Sequence, residues 1–276
     1  MNSERVNRYL VRALVALQAI LIVTGGAVRL TESGLGCPTW PECSGDSYTP
    51  VPGQAEGALH AWIEFGNRLL TFVIALASLA VVLALRKRRD LRLLSLAQVA
   101  GILGQGVLGG ITVLTDLNPI AVGSHFTLSI ILLAGALQLL YRLDAPSHRV
   151  ESSINVHTLL TFVVIVLGTL VTGAGPHAGD VSAPRLNVHI PTITAIHGFA
   201  VVALIAYSLF LLITKREYAR ALSIFLIVSL AQGVLGYAQY LLTVPALLVA
   251  IHMTGAALTW IAAWRIRLIS HPQEEK

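Results

Sequence analysis

Long apolar stretches alternate with short polar ones along the whole chain. Eight stretches are about 20 residues long and hold little charge, which is what an α-helix needs to cross the hydrocarbon core of a bilayer. They predict an all-α polytopic membrane protein with eight transmembrane helices. The predicted spans are residues 10–30, 60–85, 93–115, 120–141, 155–174, 191–213, 219–241 and 246–264.

The composition supports this fold class. Hydrophobic residues make up 55% of the 276 residues, charged residues only 12%, and the mean hydropathy is +0.74. The basic residues are unevenly placed, because 16 of the 19 Lys and Arg fall in the N-terminal segment, the loops after even-numbered spans and the C-terminal tail. The positive-inside rule makes that side the cytoplasm, so both termini are expected there. The net charge of +5 is then a topology signal, directed at membrane lipid and not at nucleic acid.

An internal repeat organises the chain. The sequence Gln-Gly-Val-Leu-Gly occurs at 105–109 and at 232–236, an offset of 127, and His125 and His252 follow at the same offset. Four spans precede the polar segment 144–153 and four follow it, so both halves enter the membrane from the same side, as in a parallel repeat. The sequence therefore predicts two pseudo-symmetric four-helix bundles, residues 1–146 and 147–276, each able to hold a cofactor between facing helices.

Three histidines lie inside the spans, toward their outer ends. An ionisable residue in such a place is a functional candidate by default, although a histidine hydrogen-bonded across helices is the alternative. His197 and His252 are at matched depth on the second and fourth helices of one bundle, which suits two imidazoles on one haem iron. His125 occupies the equivalent position in the first half. His157 is expected at the membrane interface, and no role is expected for His148 or His271.

The first half departs from this symmetry. Asn67 stands where His197 stands in the second half, at an offset of 130, and His60 lies seven residues earlier, about 10 Å higher on nearly the same face. Glu64 and Arg68 are four residues apart and share a helix face. They form either a mutually satisfied ion pair, or a site in which Arg68 binds a propionate and Glu64 handles protons. The asymmetry predicts chemistry on a bound substrate in the first half and electron transfer in the second.

The only two cysteines, Cys37 and Cys43, lie together in the first outer loop. Thiols outside the cytoplasm tend to oxidise, so a disulfide that closes this loop is the expectation. It could act as a structural staple or as a redox-active pair. The chain has no Cys-x-x-Cys-His sequence, so covalent haem attachment is not expected.

These motifs together resemble the haem A synthase family. The resemblance covers almost the whole chain and rests on Gly25-Gly26-Ala27-Val28-Arg29-Leu30-Thr31-Glu32-Ser33-Gly34-Leu35-Gly36-Cys37-Pro38, on Trp40-Pro41-Glu42-Cys43, on the Glu64 and Arg68 pair, on the Gln-Gly-x-Leu-Gly segments and on the paired histidines. It implies that the C8 methyl of haem O is oxidised to a formyl group by two successive hydroxylations and loss of water. The product is haem A for terminal oxidase biogenesis, and the electrons leave through a haem b.

The resemblance also implies roles for particular residues. His197 and His252 would hold haem b non-covalently, His125 would be an axial ligand of haem O, and Glu64 matches a carboxylate near the substrate. Cys37 and Cys43 match the family's outer-loop pair.

One position departs from the family motif, which usually reads Glu-x-x-His-Arg. This chain has Asn67 at the histidine, as we expect of an actinobacterial type of member. His60 could replace the missing ligand in a shifted geometry, or haem O could be five-coordinate through His125.

The resemblance places the protein in the cell membrane with its haem sites toward the outer side. Haem O and haem A are then its substrate and product, and haem O synthase, terminal oxidase assembly factors and a second copy of the chain are candidate partners. Two other functions fit the bare pattern. A di-haem b-type electron carrier or quinol-linked cytochrome would also use paired histidines, and a transporter would also use a parallel repeat.

Overall fold

A computed structural model of the chain describes residues 3–145 and 149–270. Its architecture confirms the predicted fold class, because all eight predicted spans are α-helices long and apolar enough to cross a membrane. The helices are α1 (Ser3–Leu30), α2 (Ala58–Ala84), α3 (Arg89–Leu114), α4 (Pro119–Arg142), α5 (Ser152–Ala174), α6 (Ile190–Thr214), α7 (Ala219–Leu241) and α8 (Ala246–Ile269). His148, His271 and the predicted boundary between residues 146 and 147 lie outside the described residues.

The helices extend beyond the apolar stretches at several ends. The first helix begins at Ser3 although its apolar stretch begins at residue 10, and the third begins at Arg89 rather than at residue 93. Hydropathy marks the part of a helix that can lie in hydrocarbon, whereas the hydrogen-bonded helix continues through charged residues into the interface. The helix starts predicted from hydropathy at residues 10 and 93 therefore fall inside the helices.

The chain divides into two compact units. One comprises Met1–Leu143 together with Thr172–Asn187, and the other comprises Asp144–Val171 together with Val188–Lys276. The segment Thr172–Asn187, which begins in the last turn of α5, therefore clusters with the first four helices. Arg29 of α1 holds it there by donating hydrogen bonds to the carbonyl oxygens of Thr172 and His177.

Each unit has its own apolar core. In the first unit, α1 packs against α2 and α4, and α3 packs against the same two helices, around a cluster that includes Leu14, Ile74 and Leu139. In the second unit, α7 packs against α6 and α8, and Ile154 of α5 joins a cluster with Phe225 and Ile266.

The sequence repeat reappears in the backbone of two turns. Asp116 and Leu117 end the turn after α3 with φ of 51° and 60°, and Thr243 and Val244 do the same after α7 with φ of 59° and 61°. Both pairs are non-glycine residues in the left-handed region, which is uncommon. They are again 127 residues apart. The two turns begin α4 and α8 in the same way, so His125 and His252 each lie eight residues beyond an equivalent turn.

Candidate functional site

Glu64 is a buried carboxylate near the outer-loop end of α2, with 6% of its surface exposed. Its Oε2 accepts a hydrogen bond of 2.7 Å from the backbone N–H of Cys37. Its Oε1 accepts two bonds from Arg68, at 3.0 Å from Nε and 2.6 Å from Nη2. The structure thus brings together the predicted pair and adds a partner from the first outer loop.

Arg68 uses its remaining donors on the same loop. Nη1 donates to the carbonyl oxygens of Thr39 and Glu42 at 3.0 and 3.1 Å, and Nη2 donates to the carbonyl oxygen of Cys37 at 2.8 Å. A guanidinium has five N–H groups, and these contacts with the two bonds to Glu64 engage all five. Arg68 therefore holds the loop onto α2, a role that helix-face spacing did not indicate because the loop's partners are backbone carbonyls.

The first outer loop is closed by the expected disulfide between Cys37 and Cys43, and both residues are fully buried. Gly36 meets the backbone at His60 so closely that a side chain at this position would clash with it, and the Trp40 ring lies against Gly110 of α3. The loop is thereby packed onto the ends of α2 and α3, and it holds Glu64 away from solvent.

The two candidates for a second axial ligand in the first unit both have polar partners. His60 Nδ1 lies 2.9 Å from Ser33 Oγ. The side-chain oxygen of Asn67 accepts a hydrogen bond of 2.8 Å from Thr24 of α1. Engagement of one ring nitrogen fixes a histidine's orientation and commonly leaves the other nitrogen for a metal. The choice between His60 and a five-coordinate iron stays a prediction.

Three intramembrane histidines each lie against a glycine of a neighbouring helix. A Cβ added at Gly109, Gly168 or Gly236 would lie 3.5, 3.3 or 3.4 Å from Cε1 of His125, His197 or His252, respectively. Glycine at these positions lets each imidazole approach the neighbouring backbone closely. The repeat indicated Gly109 and Gly236, which are 127 residues apart, but it did not indicate Gly168, because α5 resembles α1 only weakly.

His197 and His252 both belong to the second unit. Their Nδ1 atoms, and that of His125, have no hydrogen-bond partner within the described part of the chain. No group of three His, Cys, Asp or Glu side chains converges anywhere in residues 3–145 and 149–270. The donor set therefore fits an iron whose other ligands come from a porphyrin better than it fits a bare metal ion.

The chain matches a known protein family over most of its length. The model of the cytochrome oxidase assembly protein family (COX15-CtaA) matches residues 8–264. The chain belongs to this family. Within it, the chain is 28% identical to the haem A synthase of Azorhizobium caulinodans in an alignment 326 positions long, which covers 95% of this chain and 93% of that protein. It is 27% identical to the haem A synthase of Bradyrhizobium sp. (strain ORS 278), over 89% and 85% of the two chains.

A further relative matches over a shorter length. The chain is 32% identical to the haem A synthase of Shewanella oneidensis over 178 residues, or 59% of this chain, and spans about half (53%) of that protein.

His157 of this cytochrome oxidase assembly family member lies five residues after the start of α5 and is fully buried within the protein. Its expected position at the membrane interface stays a prediction. Its Nε2 lies 3.1 Å from Ser208 Oγ, and its ring meets Phe225 edge to face at 4.5 Å. The first turns of α5 pack on α6 and α7 through these contacts, which hydropathy alone does not reveal.

Proposed function

We propose that this protein is a haem A synthase, which oxidises the C8 methyl of haem O to a formyl group. The observation that carries the proposal is the buried Glu64, which a disulfide-closed loop holds in the same unit as His125. The other unit has the simple imidazole pair His197 and His252. A protected acid–base group in one unit and a plain pair of axial ligands in the other match a division between substrate oxidation and electron transfer. The names of the full-length relatives support the same assignment.

His197 and His252 would hold a haem b through their imidazoles. When bound, that group supplies a low-spin redox centre that takes up electrons one at a time. The residues fit it, because both imidazoles project from membrane helices with one ring nitrogen free of protein hydrogen bonds. Gly168 and Gly236 set how closely each ring can approach the adjacent helix.

His125 would hold the iron of haem O, the substrate. We favour His60 as the opposite ligand, because Ser33 already engages its Nδ1 and leaves Nε2 available. Asn67 would then act as a hydrogen-bonding residue beside the porphyrin, paired with Thr24.

Conversion of a methyl to a formyl group with water as the oxygen source releases four electrons and four protons: R–CH₃ + H₂O → R–CHO + 4 H⁺ + 4 e⁻. Two hydroxylations give a geminal diol, which loses water. Glu64 would accept protons at its carboxylate, and Arg68 would keep that carboxylate in place. Haem b, when held by His197 and His252, would supply the one-electron redox chemistry for passing these electrons to an external acceptor. Binding of a haem propionate by Arg68 would require Arg68 to release part of the loop.

The site would lie toward the outer side of the cell membrane, with both termini in the cytoplasm. Haem O would arrive through the surrounding lipid or from haem O synthase. Haem A would leave to terminal oxidase assembly factors. We also propose that the chain associates with a second copy of itself.

Pigment analysis of the purified protein tests the function. The protein is expressed in cells with and without a source of haem O, and extracted haems are separated by chromatography. We expect haem b in both preparations and haem A only with haem O. Folded protein that carries haem b and bound haem O but never yields haem A would refute the proposal. Two low-spin bis-histidine signals of equal character would instead favour the di-haem electron carrier.

A further inference from the structure

A small cavity lies among the four helices of the first unit, one helical turn from Asn67 and His125. Its volume is about 20 Å³, and it is lined by Gln18, Leu21, Thr71, Ile102, Gln105, Ser129 and Leu132. Each of the four helices contributes one polar side chain: Gln18 from α1, Thr71 from α2, Gln105 from α3 and Ser129 from α4. A water molecule needs roughly 10–15 Å³ of such space and two to four polar partners, so the cavity has room for one.

Two buried acceptors in the cavity wall have no partner. Gln18 and Gln105 are 5% and 4% exposed, and the Oε1 atom of each lacks a hydrogen-bond partner among the residues described. Their amide nitrogens are already used: Gln18 donates to Gln98 at 2.7 Å, and Gln105 donates to Ser129 Oγ at 2.8 Å and to the His125 carbonyl at 3.0 Å. Leaving buried carbonyl oxygens unpaired is costly, and one water has the two donors that would satisfy both.

Two hydroxyl groups in the cavity wall bond to the backbone carbonyls of His125, the proposed iron ligand, and of Asn67, which we propose lies beside the porphyrin. Thr71 Oγ1 donates to the Asn67 carbonyl at 3.3 Å, and Ser129 Oγ donates to the His125 carbonyl at 3.1 Å. Each hydroxyl follows its partner by four residues, so the polar layer lies one turn deeper in α2 and in α4. It therefore underlies both Asn67 and His125.

The second unit repeats the glutamine as Gln232, whose Oε1 also lacks a hydrogen-bond partner among the described residues, but it does not repeat the hydroxyls. The residues four positions after His197 and His252 are Val201 and Ala256, which carry no hydroxyl. The buried hydroxyls of Ser229 and Thr259 lie at other positions of the repeat. The layer is thus a feature of the unit proposed to bind haem O.

We propose that an ordered water molecule occupies this cavity and that the layer it completes positions His125 for haem O. The water donates one hydrogen bond to Gln18 and one to Gln105, and these two bonds join α1 to α3. Gln105 in turn donates to the His125 carbonyl and so fixes the backbone at His125. Gln105 is a positioning residue in this scheme, since it reaches the ligand only through the backbone. The water site stands independently of the enzymatic assignment, whereas the effect on haem O rests on the proposed function.

The first test is a high-resolution cryo-EM map of the purified protein. Density for a water within hydrogen-bonding distance of both Gln18 Oε1 and Gln105 Oε1 supports the proposal. A map that resolves other buried waters and leaves this cavity empty overturns it, whatever the activity of the protein.

The second test removes the hydroxyls with Thr71→Val and Ser129→Ala and measures haem O binding by optical titration, which needs no turnover. We expect the double variant to bind haem O about 3- to 10-fold more weakly, the factor that loss of one buried hydrogen bond corresponds to. The haem b spectrum should be unchanged. Thr161→Val is the control, because the Thr161 hydroxyl makes the same kind of bond, to the carbonyl four residues earlier at His157, but in α5 of the other unit.

Unchanged haem O affinity in the double variant would overturn the positioning role. If the double variant also loses haem b, haem O affinity is measured in the single Thr71→Val variant, which keeps the side-chain shape. Unchanged affinity in that variant would overturn the positioning role. Normal haem O binding without haem A formation in the wild type would count against the proposed function and not against the water site.

Discussion

The Glu64 carboxylate and the backbone N–H of Cys37 are joined by a hydrogen bond of 2.7 Å. This bond links an intramembrane acid on α2 directly to the disulfide that closes the first outer loop. The same carboxylate is held from its other oxygen by Arg68, which also binds the loop. Glu64, Arg68 and the first outer loop therefore share one hydrogen-bond network, and a substitution in one of them should alter the positions of the other two.

Glu64→Gln separates the acid–base role of Glu64 from its structural role. Glutamine keeps an oxygen for the Cys37 N–H but cannot ionise. We expect haem A formation to fall about 100-fold, as is typical for loss of a general acid–base group, while haem b content stays normal. The measurement is haem A yield per haem b. Near-normal yield would leave Glu64 as a structural partner of Arg68 only.

Arg68→Gln should loosen the outer loop. It removes a partly buried charge and leaves Glu64 buried beside unpaired loop carbonyls, which we expect to cost about 3 kcal/mol of stability. The readouts are the thermal unfolding temperature and protease cleavage within residues 37–43. Arg88→Gln is the control, because Arg88 pairs with Asp90 at an exposed site worth under about 1 kcal/mol. Equal effects of the two variants would contradict the loop role.

His252→Ala and His197→Ala should each abolish the low-spin haem b signal, because haem iron then lacks one of its two imidazoles. His125→Ala should leave that signal in place and weaken haem O binding instead. Optical and electron paramagnetic resonance spectra of the purified variants give the answer. His189→Ala, in an exposed position beside Thr192, is the matched control and should change neither haem. Retention of the signal in folded His252→Ala protein would exclude His252 as a ligand.

Gly168→Ala should perturb haem b without removing a ligand. The added methyl would lie 3.3 Å from His197 Cε1, which is tight enough that the ring must move by a few tenths of an ångström. We expect a shifted haem b spectrum or lower haem b content. Gly233→Ala, which meets nothing within 4 Å, serves as the control. Identical spectra for both variants would mean that the Gly168 contact does not set the ring position.

The ion pair between Glu151 and Lys215, at 2.6 Å, predicts how stability depends on pH. Burial raises the pKa of Glu151, but hydrogen bonds from Lys215 and Tyr218 outweigh it, so the pKa lies below its ordinary value of 4.5. The hydrogen bond to Glu151 raises the pKa of Lys215 above 10.5. The pair therefore stabilises the folded state fully between those values.

That stabilisation should disappear as the pH falls through the lowered pKa of Glu151, because the unfolded carboxyl binds the proton more readily. It should also disappear above the raised pKa of Lys215. We expect the difference in unfolding temperature between wild type and Glu151→Gln to stay constant from pH 6 to 9 and to shrink below the ordinary Glu151 value. A difference that grows on acidification would contradict this sign.

Much of the fold followed from local properties of the chain. Apolar length is enough to identify a membrane helix, because an unpaired backbone in hydrocarbon is too costly for any other choice. The repeat of 127 residues extends to the backbone, because Asp116 and Thr243 take the same left-handed conformation although the sequences of the two turns differ. The start of α1 at Ser3 escaped prediction because helical hydrogen bonding does not stop where hydrophobicity does.

Only part of the candidate site could be predicted from residue spacing in the sequence. Spacing of four residues on one helix was sufficient to pair Glu64 with Arg68. It could not show that Arg68 also binds Thr39 and Glu42, because backbone carbonyls carry no sequence signature. The same holds for His157, whose burial depends on Ser208 and Phe225 of other helices.

The chain alone thus specified the eight spans, the duplication and the residue types able to hold haem, because each depends on neighbours within a few turns or on matching text. Packing decided which of these residues share a hydrogen-bond network. Glu64 of α2 bonds to Cys37, 27 positions earlier in the outer loop, and Gln18 of α1 meets Gln98 and Gln105 of α3, 80 or more positions later, only when the chain is folded. Such contacts depend on how the helices pack, and that packing is determined by the surfaces of all four helices of the first unit together.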